Sequence, residues 1–195
     1  MRRVIYSQMV SLDGFIEGPR GDISWSAPDE ELFAYIQDRE AQVDMHLYGR
    51  HTYENMAAYW PTADEQPLAT AQEIAFAQSW KQVEKVVFSR TLEGVEWNSR
   101  LVRDNIQHAV EDLKARRGGD MLLGGAGLAA TFMELGLIDE FHLYTHPVLL
   151  GDGKPFFPAL QHKVGLELVE ARRFGGGVVM LHYRRQGERG AGADG

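Results

Sequence analysis

Three short segments of this sequence bring together residue types that hold phosphate: glycines that let backbone come close, hydroxyls, and arginines that pair with anions. The first is Met121 to Leu128 (MLLGGAGL), where an apolar run meets Gly124, Gly125, Ala126 and Gly127 just before a helical pattern. Free N–H groups at a helix start attract anions, and glycine removes the side chain that would hold a ligand away. The second is Leu47 to Met56 (LYGRHTYENM), in which a strand ends at Gly49, Arg50 and His51 follow, and Thr52 is a natural helix cap. The third is Val86 to Thr91 (VVFSRT), a strand ending in Ser89, Arg90 and Thr91. Each has an ordinary explanation alone, because a double glycine is often just a tight turn and a lone arginine is usually a solvated charge. In a parallel sheet, however, all three strand ends share the carboxyl edge, where open α/β sheets bind ligands. The coincidence points to a ligand with more than one phosphate. The glycine run is not the dinucleotide fingerprint of a first βα unit, since it lacks that spacing and comes late in the chain.

A second set of residues has the chemistry to act on a bound molecule. Trp25 is followed by Pro28, Asp29, Glu30 and Glu31, carboxylates at a predicted helix start, where anions also simply offset the helix dipole. Asp13 stands in an Asp13-Gly14 turn, a position that turn chemistry explains by itself. Trp25, Tyr53, Met56, Tyr59 and Trp60 supply either the walls of a slot for a flat ring or ordinary core. The chain has no cysteine, which excludes disulfides, thiolate catalysis and Cys-ligated metal sites. Among its seven histidines, His46 and His142 fall in strands without a paired ligand spacing and His146 stands beside Pro147, so no metal site is expected.

The elements that must position these residues alternate. Strands are predicted over Arg3 to Val10, Val43 to Tyr48, Lys85 to Ser89, Asp120 to Leu123 and Phe141 to Leu150. Two more, Gly165 to Phe174 and Gly177 to Arg185, are joined by a Gly175-Gly176-Gly177 turn. Helices are predicted from Ala27 to Gln42 with Ser26 as cap, from Thr52, over Leu68 to Trp80, over Asn105 to Arg117 and over Leu128 to Leu135. This order implies an α/β fold of three layers (αβα), its mixed, mostly parallel sheet closed by an antiparallel C-terminal edge hairpin. Residues 1–186 read as one domain, and Gly187 to Gly195 (GERGAGADG) as a disordered tail with nothing to bury.

Length and composition agree with one ordinary globular domain: 195 residues, 44% hydrophobic and 25% charged. A net charge of −8 argues against nucleic acid, whose phosphates need clustered Lys and Arg. It leaves room for a phosphorylated cofactor, which needs only local cations and amides. No apolar signal-peptide core and no stretch of membrane-spanning length are present, so the expected compartment is the cytoplasm, with no membrane partner.

The segment Gly49 to Met56 resembles the Gly-Arg-x-Thr-[Trp/Tyr]-Glu segment of dihydrofolate reductases, the Gly124-Gly125 helix start resembles their pyrophosphate turn, and Ser89-Arg90-Thr91 their adenine-nucleotide loop. The sequence is more similar to the reductase domain at the C-terminus of the riboflavin-pathway deaminase–reductase and to its stand-alone bacterial relatives. It shares with them Ser11 to Gly14 (SLDG), Gly136 to Glu140 (GLIDE) and Pro147 to Phe157 (PVLLGDGKPFF). The resemblance covers roughly residues 1–185. It implies a dihydrofolate-reductase-like fold, NADPH as cofactor, and hydride transfer to a C=N or C=O carbon of a small heterocycle of pteridine or pyrimidine type. It also implies Glu30 as the acid facing substrate (Glu31 matches the vertebrate spacing), Thr145 as its partner, Asp13 and Ser11 lining the active site or shaping its loop, and Trp25 and Tyr53 beside the substrate. A homodimer through the strand at Phe141 to Leu150 and the closing hairpin follows from the same likeness. The sequence departs from both parents: it shows no zinc-deaminase pattern, and it lacks the Leu/Met-Pro-Trp entry to a folate site. Two other readings share the cofactor motifs: a non-catalytic NADPH-binding or sensor module, and a flavin- or deazaflavin-dependent reductase. Arg50 and Arg90 favour a 2′-phosphorylated nicotinamide dinucleotide, because arginine grips phosphate bidentately.

Overall fold

The computed structural model describes residues 1–186, so the tail from Gly187 to Gly195 lies outside the described residues. In chain order the elements are β1 (Val4–Ser11), β2 (Phe15–Glu17), α1 (Glu30–Glu40), β3 (Val43–Gly49), α2 (Arg50–Ala63), α3 (Ala71–Gln82), β4 (Glu84–Phe88) and β5 (Ser99–Val102). Then come α4 (Ile106–Ala115), β6 (Asp120–Gly124), α5 (Ala126–Glu134), β7 (Glu140–His146), β8 (Lys154–Pro155), β9 (Leu166–Arg173) and β10 (Val179–Arg185). They form two compact units, residues 1–4 with 37–137, and residues 5–36 with 138–186. Among the described residues no helix is long and apolar enough to cross a membrane.

The first unit is a parallel sheet in the order β5-β4-β3-β6. Its strands are short apolar runs, and Met45, Leu47, Val86, Val87, Met121 and Leu123 are buried. Tyr48, Tyr53, Trp80 and Val87 form a core joined by Met56, Trp60 and Phe76. A capping box starts α3, the Thr70 hydroxyl accepting from the Glu73 N–H while the Glu73 carboxylate accepts from the Thr70 N–H. Arg2 and Arg3 tie the chain start to this unit through Asp44 and Asp120.

In the second unit the order is β1-β7-β10-β9, with β1 parallel to β7 and the other pairs antiparallel. Leu32 of α1 packs with Tyr144, Phe174, Val178 and Met180. The glycine turn closes the β9–β10 hairpin through a Phe174 N–H to Val178 C=O bond of 2.9 Å, with Gly177 at φ +85°. The mixed, mostly parallel α/β class with an antiparallel edge hairpin is therefore as the sequence implies.

Four local expectations need correction. Ser26 caps nothing: Pro28 disfavours helix at Ala27, and α1 begins one turn later under Asp29, whose side chain accepts from the Leu32 N–H at 2.9 Å. Thr52 lies inside α2, which Gly49 caps. The strand expected to Leu150 stops at His146, before Pro147, which cannot donate to a ladder. Finally, β5 occupies four residues, Ser99–Val102, for which the sequence pattern predicts no element.

Candidate functional site

The carboxyl ends of β3, β4 and β5 and the first turns of α4 and α5 surround a cavity of about 410 Å³ in the first unit. Gly49, Ser89, Arg90 and Gly127 line it, so each of the three segments singled out in the sequence reaches it. Arg103 lines it as well. The Arg103 guanidinium donates to the backbone carbonyls of Arg90 (3.4 Å) and Glu93 (3.2 Å), which braces the 90–93 turn and sets a second cation at the rim. Arg90 extends into solvent, its side chain 83% exposed and 3.7 Å from Asp104. The Ser89 hydroxyl is committed to that turn, accepting from the N–H groups of Thr91 (3.2 Å) and Leu92 (3.1 Å).

The glycines divide by task. Gly125, at φ +93°, caps α5, and a Cβ there would collide with the Thr52 hydroxyl; at Gly124 it would lie 2.8 Å from the Tyr48 ring. These two are demanded by packing within the unit. At Gly127 a Cβ would meet nothing within 4 Å, and this is the glycine that lines the cavity. Arg50, His51 and Glu54 form an exposed ion group on α2, with Arg50 3.7 Å from Glu54, and they do not line the cavity. Thr52, Thr91, Gly124, Gly125 and Ala126 do not line it either. Tyr53 is buried in the core, its hydroxyl accepting from the Glu96 N–H at 2.7 Å and donating to the Glu96 carbonyl at 3.2 Å, so it presents no free polar atom.

The remaining candidates belong to the second unit. The Asp13 carboxylate accepts from the Ser11 hydroxyl (2.6 Å) and from the N–H groups of Leu150 (3.1 Å) and Gly151 (2.7 Å). These bonds, the Ser11 hydroxyl first, hold its pKa below the usual carboxylate range. Ser11 in turn accepts from the Phe15 N–H at 2.9 Å. Both side chains therefore pin the SLDG turn to the loop after β7. Among the three acids at the start of α1, Asp29 caps the helix and accepts from the Gly176 N–H at 3.0 Å, while Glu31 accepts from the Gly175 N–H at 3.0 Å and meets Arg172 at 3.5 Å. Glu30 is exposed, and no hydrogen bond or ion pair engages it among the described residues.

Trp25 donates its indole N–H to the Asp22 carbonyl at 3.0 Å and meets the His146 ring edge-on at 5.5 Å between centroids. Burial lowers the pKa of His146, and the Asp29 charge acts in the opposite sense. No role for His146 is predicted from its place in the sequence beside Pro147. Thr145 is separated from Glu30 by strand alternation: its neighbour Tyr144 packs on Leu32 of α1, so the Thr145 side chain points from the opposite face of β7. His146 lies on the α1 side instead.

The strand orders and the closing antiparallel hairpin are those of a dihydrofolate-reductase-like fold. The chain belongs to the RibD C-terminal domain family, which it matches over residues 2–180. It is 39% identical over 190 residues to the uncharacterized protein YyaP of Bacillus subtilis (strain 168), a match spanning 95% of this chain and 96% of that one. The fold is shared with a putative riboflavin biosynthesis protein from Shewanella sp. PV-4, at a TM-score of 0.72 and 22% identity over 95% of this chain and 99% of that one. It is also shared with the dihydrofolate reductase of Enterococcus faecalis, solved in complex with NADP(H), at a TM-score of 0.60 and 14% identity over 95% and 97% of the two chains.

Proposed function

We propose that this protein is an NADPH-dependent oxidoreductase that reduces a small pyrimidine- or pteridine-like heterocycle. The observation that carries the reading is the convergence of Gly49, Ser89-Arg90 and Gly127 on one cavity whose rim holds Arg90 and Arg103. Its volume falls within the roughly 300–1,000 Å³ of small-ligand sites. The lining fits a dinucleotide phosphate: open backbone at Gly127, the N-terminal N–H groups of α5, and two guanidinium groups suited to bidentate contact with a 2′-phosphate. NADPH, when bound, supplies the hydride. The residues of this chain bind and orient it and shield its phosphates from one another.

On the substrate side the reading assigns Glu30 to a ring N–H of the heterocycle, because Asp29 and Glu31 are already committed to the chain's own N–H groups. Trp25 offers the apolar wall, with the His146 ring edge-on to it. A homodimer joined along β9, where Leu168 and Val169 are exposed, completes the proposal; sedimentation at twice the monomer mass is the expected outcome.

The test is to mix the protein with NADPH and a panel of pyrimidines and pteridines and follow loss of the reduced-nicotinamide absorbance. Turnover on at least one ring, with Glu30→Gln lowering kcat about tenfold or more and leaving NADPH affinity unchanged, supports the assignment. NADPH binding without turnover across the panel favours the non-catalytic binding module instead.

A further inference from the structure

Glu140 and His142 project from the same face of β7, being two residues apart, and antiparallel pairing sets His182 of β10 directly opposite His142. All three are buried, at 2%, 6% and 6% exposure. The Nε2 atom of His182 lies 3.0 Å from Oε2 of Glu140, and that of His142 lies 3.8 Å from the same oxygen. The two imidazoles meet nearly edge-to-face, 4.3 Å apart at 70°. The other carboxylate oxygen, Oε1, accepts from Nε of Arg184 at 3.2 Å, which leaves Oε2 turned toward the rings.

From this geometry we infer a divalent transition-metal site formed by Oε2 of Glu140 and Nε2 of His142 and His182, a metal clip across the β7–β10 pair. One donor atom from each of the three residues lies within 4.8 Å of the other two. A zinc ion with bonds of about 2.0–2.2 Å in tetrahedral array needs its donors about 3.3–3.6 Å apart, and the 3.0 and 3.8 Å separations bracket that spacing. Two imidazoles and one carboxylate select zinc and its neighbours Co²⁺ and Ni²⁺ over the all-oxygen preferences of Mg²⁺ and Ca²⁺. A cation would also offset the charge of a carboxylate that is 2% exposed and whose guanidinium partner, Arg184, is itself 48% exposed. The Arg184 bond to Oε1 then serves to orient the ligating oxygen, as outer partners of metal ligands do.

The test uses tag-free protein stripped with a chelator and titrated calorimetrically with ZnCl₂, with cobalt as a spectroscopic stand-in. Expected are one-to-one uptake, visible ligand-field absorption of the cobalt form, and a higher Tm with Zn²⁺ but not with Mg²⁺. His142→Gln and His182→Gln, which keep size and polarity, should each weaken uptake about a hundredfold or more, whereas His108→Gln and His162→Gln on the exposed surface should leave it unchanged. If either core variant fails to fold, the cobalt spectrum of the unaltered protein decides by showing or lacking nitrogen ligation. Absence of uptake, or uptake equal in the core and surface variants, overturns the site and leaves a buried ion pair of His182, Glu140 and Arg184.

Discussion

The two ends of the first unit's parallel sheet are built from the same strands, yet they carry opposite chemistry. At the carboxyl edge the cavity of about 410 Å³ is bordered by helix starts, at Ile106 of α4 and Gly127 of α5, and by the arginines at 90 and 103. At the amino edge a second cavity, of about 370 Å³, is bordered by helix ends, at Glu40 of α1 and Trp80 and Gln82 of α3, and by Glu40, Asp44, His46 and Glu84. Helix N-termini carry partial positive charge and C-termini partial negative charge, so βα connectivity alone makes one edge receptive to anions and the other not. Side chains reinforce the contrast. Burial pushes the Glu40 carboxyl up to about 7 and, with Lys85 adding to it, His46 down to about 4. Lys85, whose ammonium burial lowers to about 8, is held by the carbonyls of Trp80 (2.5 Å) and Val83 (2.7 Å). One edge keeps its charges in solvent, where a ligand can meet them. The other buries His46 and Lys85 and leaves Asp44 and Glu84 about half exposed.

The largest expected effect comes from Gly125→Val, which places a β-branched side chain at φ +93° against the Thr52 hydroxyl. Urea unfolding should show a loss of about 3 kcal/mol or more; a loss under 1 kcal/mol would mean that this glycine is not fixed by packing. Next, Arg90→Ala and Arg103→Ala should each weaken NADPH about tenfold, near 1.4 kcal/mol, with unfolding midpoints nearly unchanged. Arg50→Ala, whose guanidinium sits with Glu54 outside the cavity, should weaken it less. The reverse order would move the phosphate site onto α2.

Glu40→Gln sharpens the contrast from the amino edge. A carboxyl whose folded pKa is raised binds more protons folded than unfolded, so its contribution declines as pH rises from its ordinary value near 4.5 to about 7. Stability curves of the variant should lose that decline and lie on the order of 1 kcal/mol above the parent at pH 8, with NADPH affinity unaltered. The smallest effect is the most discriminating. Gly127→Ala fills open space on α5 and should gain up to about 0.5–1 kcal/mol of helix stability while lowering NADPH affinity, a rise in Tm paired with weaker binding.

Local grammar made the strand–glycine–helix junctions legible: each lies within a few residues of the chain and needs no partner to recognise. Arg103 escaped because β5 spans only four residues, too few for a period to show, although Arg103-Asp104-Asn105 repeats the same strand-to-helix transition. Thr145 against His146 is a choice between two faces of a strand, and the choice depends on where α1 packs. The pairing of His142 with His182 arises from register between strands distant in sequence, which ligand spacing along one segment does not reveal. Asp13 is named by both readings, and the geometry adds what the turn reading needs, the N–H groups of Leu150 and Gly151 at its oxygens.

The most direct test of the carboxyl-edge assignment is a titration of the protein with NADPH and, separately, NADH, followed by quenching of tryptophan fluorescence, and repeated with Arg90→Ala. Expected are saturable NADPH binding, NADH weaker by about tenfold or more, and a gap between the two that narrows in the variant. Failure to bind either nucleotide, or equal affinities that Arg90→Ala leaves untouched, would contradict it.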